Sequence, residues 1–136
     1  MILCFISLSI DNILYMLNDY QTTNNDSVLQ QSFSKDQILW MTITGLIIGP
    51  FIEELSYRSI GLKYVFRNYE IIGTMILSCV FAFTHYPNST IDFLIYFQSS
   101  TINSIIYLKS RRFELILILH ILNNSFTFIP MLIESF

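Results

Sequence analysis

From residue 37 to the last residue the chain is almost continuous apolar sequence, broken only at Arg67-Asn68-Tyr69-Glu70, Pro87-Asn88 and Lys109-Ser110-Arg111-Arg112. Apolar stretches of this length separated by turns of two to four residues leave little room for a soluble design, because too few polar side chains remain to cover the outside. Composition agrees: hydrophobic residues make up 53% of the chain and charged ones only 12%, with a mean hydropathy of +0.55, well below the charge content of an ordinary soluble domain. The lipid bilayer is therefore the expected solvent, and the expected location is the cell membrane, crossed more than once. The expected fold is all-α, a polytopic transmembrane bundle of about five helices.

A first apolar run, Ile2 to about Leu17, is short for a span and carries Asp11 and Asn12 at its middle. It lacks the basic n-region of a secretory signal, so it is expected to remain on the protein. Residues 19–36 are polar, without periodicity, and read as an extramembrane loop. Ser34 and Gln37 then stand in capping-box spacing before the second helix, about Asp36 to Phe66, kinked at Gly49-Pro50. A third helix follows from Ile71 to Tyr86, and a fourth from Thr90 to Leu108. The fourth carries a stripe of Gln98, Ser99, Ser100, Thr101, Asn103 and Ser104, small polar residues that let helices approach closely. The fifth runs from Phe113 to about Ile133. The organisation is a hydrophobic segment at 1–18, a polar loop at 19–36 and a helical core at 37–136.

The net charge is −3, and the few basic residues form no stripe that could neutralise phosphates, so nucleic acid is not an expected partner. Cys4 and Cys79 lie far apart in apolar runs and suit core positions rather than a disulfide framework or a metal knuckle.

The informative residues are ionisable ones inside the apolar runs, since a charged side chain at the bilayer centre costs about 2.5–3.5 kcal/mol on insertion scales. The second helix carries Glu53, Glu54 and Arg58, the third His85, and the fifth His120 and Asn124. Counted from the turn at Asn68 with a rise of about 1.5 Å per residue, Glu53 lies roughly 22 Å deep and His85 roughly 25 Å. The same rise from Arg111 puts His120 about 14 Å and Asn124 about 20 Å in, so three helices bring polar groups to neighbouring depths. Glu54 and Arg58, like His120 and Asn124, are four residues apart and share a face. Glu53 is turned about 100° from Glu54 and is free to face the bundle interior. The expectation is a division of labour, with Glu53 as a general base and Glu54 held by Arg58 as scaffold. Glu53, His85 and His120 would equally supply three ligands to a zinc ion with an open fourth position.

The order Glu53-Glu54-x-x-x-Arg58, Phe81-x-x-x-His85, His120-x-x-x-Asn124 on hydrophobic helices resembles the CPBP family of intramembrane proteases, which includes CAAX prenyl endopeptidases and bacteriocin self-immunity proteins. The resemblance covers residue 37 to about 130, and Ser59 departs from the glycine usual after the arginine. It implies an endopeptidase acting on a membrane-associated protein or peptide. In it Glu53, assisted by His85, activates water; His120 and Asn124 stabilise the oxyanion; Glu54 and Arg58 support the site. It favours no metal cofactor, although the family has often been labelled metalloprotease. The chain contains no His-Glu-x-x-His, Gly-x-Gly-Asp or Gly-x-Ser motif, so the other membrane protease classes fit poorly. A non-catalytic membrane module that binds a partner or toxin and keeps the polar cluster as structure is the alternative.

Overall fold

The computed structural model describes residues 2–17, 23–25, 27, 28 and 37–134. Among these residues the long elements are five helices, with no strand: α1 (Ile2–Leu17), α2 (Ile38–Val65), α3 (Glu70–Thr84), α4 (Thr90–Ser110) and α5 (Phe113–Glu134). Ser34 and the rest of the expected cap before α2 lie outside the described residues, apart from Gln37, whose side chain makes no capping bond.

Helix α2 differs from the single kinked α-helix expected. Its hydrogen-bond register widens to a π-helix at Thr44–Ile48, returns to α at Gly49–Glu54, and widens again over Leu55–Val65. The first widening has a local cause. A proline ring inside an α-helix collides with the carbonyl four residues earlier, here Leu46, and a wider turn just before Pro50 moves that carbonyl away. The chain therefore continues past Pro50 without breaking.

The α3 helix ends at Thr84, not Tyr86. Tyr86 takes a left-handed conformation at φ 50°, and the following Pro87 disfavours α geometry for the residue before it. His85 is thus the helix's C-cap. Helix α4 starts where Ser89 accepts the N–H of Asp92 at 3.0 Å while Asp92 accepts the N–H of Asn88 at 3.3 Å, a reciprocal cap that needs both side chains. At its other end Arg111 turns left-handed (φ 56°) and its guanidinium pairs with Glu70 at 2.7 Å, clasping the α2–α3 and α4–α5 turns together.

The first half of α2 packs on α5 and its second half on α3, and α3 packs along α4 to a similar extent as α2 along α5. Two apolar clusters result, Met41, Phe128 and Met131 near one end and Leu62, Ile106, Tyr107 and Ile116 near the other. Between them lies a polar layer. The hairpin of α2 and α3 is drawn in by Gly73, where an added Cβ would lie 2.4 Å from Phe66 Cβ. Because a Cβ cannot move without its backbone, Gly73→Ala is expected to pry the hairpin apart and cost about 1–3 kcal/mol, measurable as a lower unfolding midpoint in detergent micelles.

Helix α1 packs on α4, and its Asp11 accepts a hydrogen bond from Gln98 at 2.7 Å, which gives the polar residue of this apolar run a partner. Cys79 is a free, half-buried thiol rather than a core residue. Ile38–Val65 and Phe113–Ile133 are long and apolar enough to cross a membrane, and in each only 22% of the apolar window is buried. A helix at the core of a soluble protein would hide those side chains. Here Trp40, Ile47, Ile52, Ile71, Met75 and Phe83 point outward, as a hydrocarbon solvent permits. Helix α3, at 15 residues, is shorter than the roughly 20 residues that span a bilayer upright.

Candidate active site

Glu54 and Arg58 are both wholly buried in the polar layer. Arg58 Nε lies 3.2 Å from Glu54 Oε2, and Arg58 Nη2 donates to the carbonyl and the hydroxyl of Ser100 at 2.7 and 2.9 Å. The guanidinium also sits over the ring of Phe81 at 5.6 Å and that of Tyr57 at 5.9 Å, so aromatic faces meet the part of the cation that carboxylate and serine leave uncovered. Glu54 Oε1 accepts from His120 Nδ1 at 2.7 Å and from Asn103 Nδ2 at 3.3 Å.

His120 is 6% exposed and turns its other nitrogen to the neighbouring carboxylate, with Nε2 3.5 Å from Glu53 Oε2. One imidazole therefore stands between the two adjacent glutamates. Their environments are unequal. The Glu53 side chain is 31% exposed and the Glu54 side chain 0%. Glu53 reaches a cavity of about 570 Å³ that His85 and Asn124 also line, with Gly45, Gly49, Pro50, Trp40 and Phe128 among its walls.

His85 is held on three sides. Its Nδ1 is 2.9 Å from the carbonyl of Phe81. A carbonyl can only accept, so Nδ1 carries the proton and Nε2 of the neutral ring keeps its lone pair. The ring stacks on Tyr96 at 4.2 Å with 23° between planes and lies 4.5 Å from Phe81. Tyr96 in turn shares a 2.7 Å hydrogen bond with Thr23, and Asn24 donates to the carbonyl of Tyr86 at 3.1 Å. Residues of the polar loop are thereby seated on the α3–α4 turn, with Asn25 at the cavity. Asn124, on α5, donates through Nδ2 to the carbonyl of Gly45 at 3.0 Å.

All six residues singled out from the sequence thus fall in one region: Glu54, Arg58 and His120 in a buried polar network, Glu53 beside them at the cavity edge, and His85 and Asn124 on the cavity wall. Ser100, Asn103 and Tyr96 belong to the same region and were not anticipated. The signal for Ser100 and Asn103 was the polar stripe of α4, which suggests close packing equally well, and Tyr96 gave none. The donors open to a zinc ion are Nε2 of His85, Nε2 of His120 and the Glu53 carboxylate, and among the described residues no three His, Cys, Asp or Glu side chains lie grouped to hold an ion.

The sequence profile of the Rce1-like type II CAAX prenyl endopeptidases matches residues 35–126, more than half of the chain and the part that contains the whole polar layer. The chain belongs to this Rce1-like family. Membership makes it a member of the CPBP intramembrane proteases and gives it a CAAX-type endopeptidase kind of function, with a peptide or protein as substrate and membrane lipid as surroundings. The outward-facing apolar side chains of α2 and α5 accord with a membrane-embedded family. No curated protein and no solved structure matches the chain.

Proposed function

We propose that the chain is an intramembrane endopeptidase that hydrolyses a peptide bond of a membrane-associated protein or peptide with water activated by Glu53, in bacteriocin processing or self-immunity. The observation that carries this reading is the convergence of Glu53, His85 and Asn124, from three helices, on one cavity. A carboxylate and an imidazole lone pair facing a common space can share the hydrogens of one water molecule. Glu53 takes a proton as the water oxygen adds to the peptide carbonyl carbon. The tetrahedral species then expels the amine, which leaves with the proton held by Glu53, and the new carboxyl group ionises.

The buried groups define how Glu53 is presented. Glu54, fixed by Arg58 and Asn103, orients His120, and His120 faces Oε2 of Glu53, leaving Oε1 for the water. With Nδ1 donating to Glu54, His120 donates from Nε2 to the developing oxyanion as the imidazolium, its role in this reading. The second hydrogen of the Asn124 amide, not used on Gly45, is the other donor. Tyr96→Leu is expected to release His85 from its stack and lower kcat about tenfold or more with KM little changed, since misplacement of a catalytic group by about 1 Å costs up to 10²-fold. Tyr96→Phe, which keeps the stack, should stay near the intact protein.

The proposal is tested by comparing membrane and secreted peptides from cells carrying the intact chain with cells carrying Glu53→Gln at equal expression. A product lost only with Glu53→Gln supports the endopeptidase and identifies its substrate. Matching peptide profiles with toxin protection intact in both would make the chain a non-catalytic binding or immunity module instead.

A further inference from the structure

We propose that Pro50 is a positioning residue for Asn124, acting through a backbone carbonyl that its missing N–H leaves open. The first π turn of α2 leaves one carbonyl open. In an α-helix the carbonyl of Gly45 would accept from the N–H of Gly49, but that N–H bonds instead to the carbonyl of Thr44. In the wider register that follows, the donor for Gly45 would be residue 50, and proline has no hydrogen to give. The Gly45 carbonyl thus has no helical donor in either register, and it accepts the side-chain amide of Asn124 at 3.0 Å.

Gly45 also lets α5 come near enough for this bond, since an added Cβ would lie 2.1 Å from Phe128 Cζ. An open carbonyl and a close approach together determine where the amide sits. With one hydrogen of Nδ2 on Gly45, the amide group is held against rotation on the wall of the cavity that Glu53 and His85 share. The inference rests on the reading of Asn124 as an oxyanion donor for its functional consequence, but the placement itself does not.

The test is a double-mutant cycle on the full chain in detergent micelles, with Pro50→Ala, Asn124→Ala and both together. Restoring an N–H at position 50 gives the Gly45 carbonyl a backbone donor. Asn124→Ala should then lower the unfolding midpoint in the intact background and have a much smaller effect beside Pro50→Ala. Equal losses in both backgrounds would overturn the proposal. If Pro50→Ala does not fold, isotope labelling of the carbonyl carbons of the chain's four glycines decides. Asn124→Ala must shift the Gly45 signal most, and an unmoved Gly45 signal overturns the proposal.

Activity separates this inference from the function on which it builds. On the peptide substrate recovered by the comparison above, Pro50→Ala should lower kcat about tenfold or more, leave KM nearly unchanged, and cause no further loss beside Asn124→Ala. Additive losses in kcat would overturn the positioning role. Coupled midpoints with no cleavage by the intact chain would uphold the placement and refute the endopeptidase reading alone.

Discussion

Arg58→Ala is expected to destabilise the protein by about 3–5 kcal/mol, the cost of stranding a buried carboxylate whose partner cation has gone. Glu54 has no exposure through which water could replace the guanidinium. The same substitution leaves the Ser100 carbonyl and hydroxyl without their 2.7 and 2.9 Å donor and removes the cation over Phe81 and Tyr57. Adding Glu54→Gln to Arg58→Ala should recover part of the loss, because the stranded charge disappears with it. Arg58→Lys should not rescue fully. An ammonium is a point charge and cannot meet Glu54 and Ser100 in one plane as the guanidinium fork does. Denaturant unfolding in micelles measures all three, and near-equal stability of intact and Arg58→Ala protein would show that the pair does not hold the polar layer.

Two adjacent glutamates are expected to fail in opposite ways. Glu53→Gln keeps the size of the side chain at the cavity edge and removes only the base, so cleavage should fall about 10²–10⁴-fold while the unfolding midpoint stays close to that of the intact chain. Glu54→Gln should do the reverse first: its carboxylate is the common acceptor for Arg58, His120 and Asn103, and an amide in its place pairs poorly with two strong donors. The midpoint should drop, and activity should fall as His120 loses its anchor. Purified protein in lipid vesicles, assayed by mass spectrometry of peptide products and by thermal unfolding, separates the two. Equal effects on stability would contradict the division between base and scaffold.

The unequal surroundings of the two glutamates were legible in the sequence because they follow from cost and angle alone. Ionisable residues in apolar helices demand partners, and consecutive residues on a helix cannot face the same one. The five-helix all-α architecture and the Pro87-Asn88 turn before α4 were legible for similarly local reasons. What was not legible depends on how helices rotate against each other. No spacing rule places one His120 between both glutamates, since that requires α5 to approach α2 at Gly45 and Phe128. Ser100 and Asn103 were visible as a polar stripe, but the stripe suits close packing and ion-pair support alike until Arg58 is seen to reach it. The first π segment of α2 was hidden because Pro50 signals a kink without saying whether the helix breaks, bends or widens. His85 was expected inside its helix and instead caps it, because the conformation of Tyr86 is set jointly by Pro87 and by a loop residue, Asn24, more than 60 positions away.

The central claim is that water, activated by Glu53, attacks the peptide carbonyl directly. It is tested most directly by a single turnover of the purified chain on its peptide substrate in heavy-oxygen water. The account predicts one heavy oxygen in the new carboxyl group of the product and none in the Glu53 side chain. An unlabelled product carboxyl group after that first turnover would mean that a protein oxygen had attacked instead. It would contradict the account.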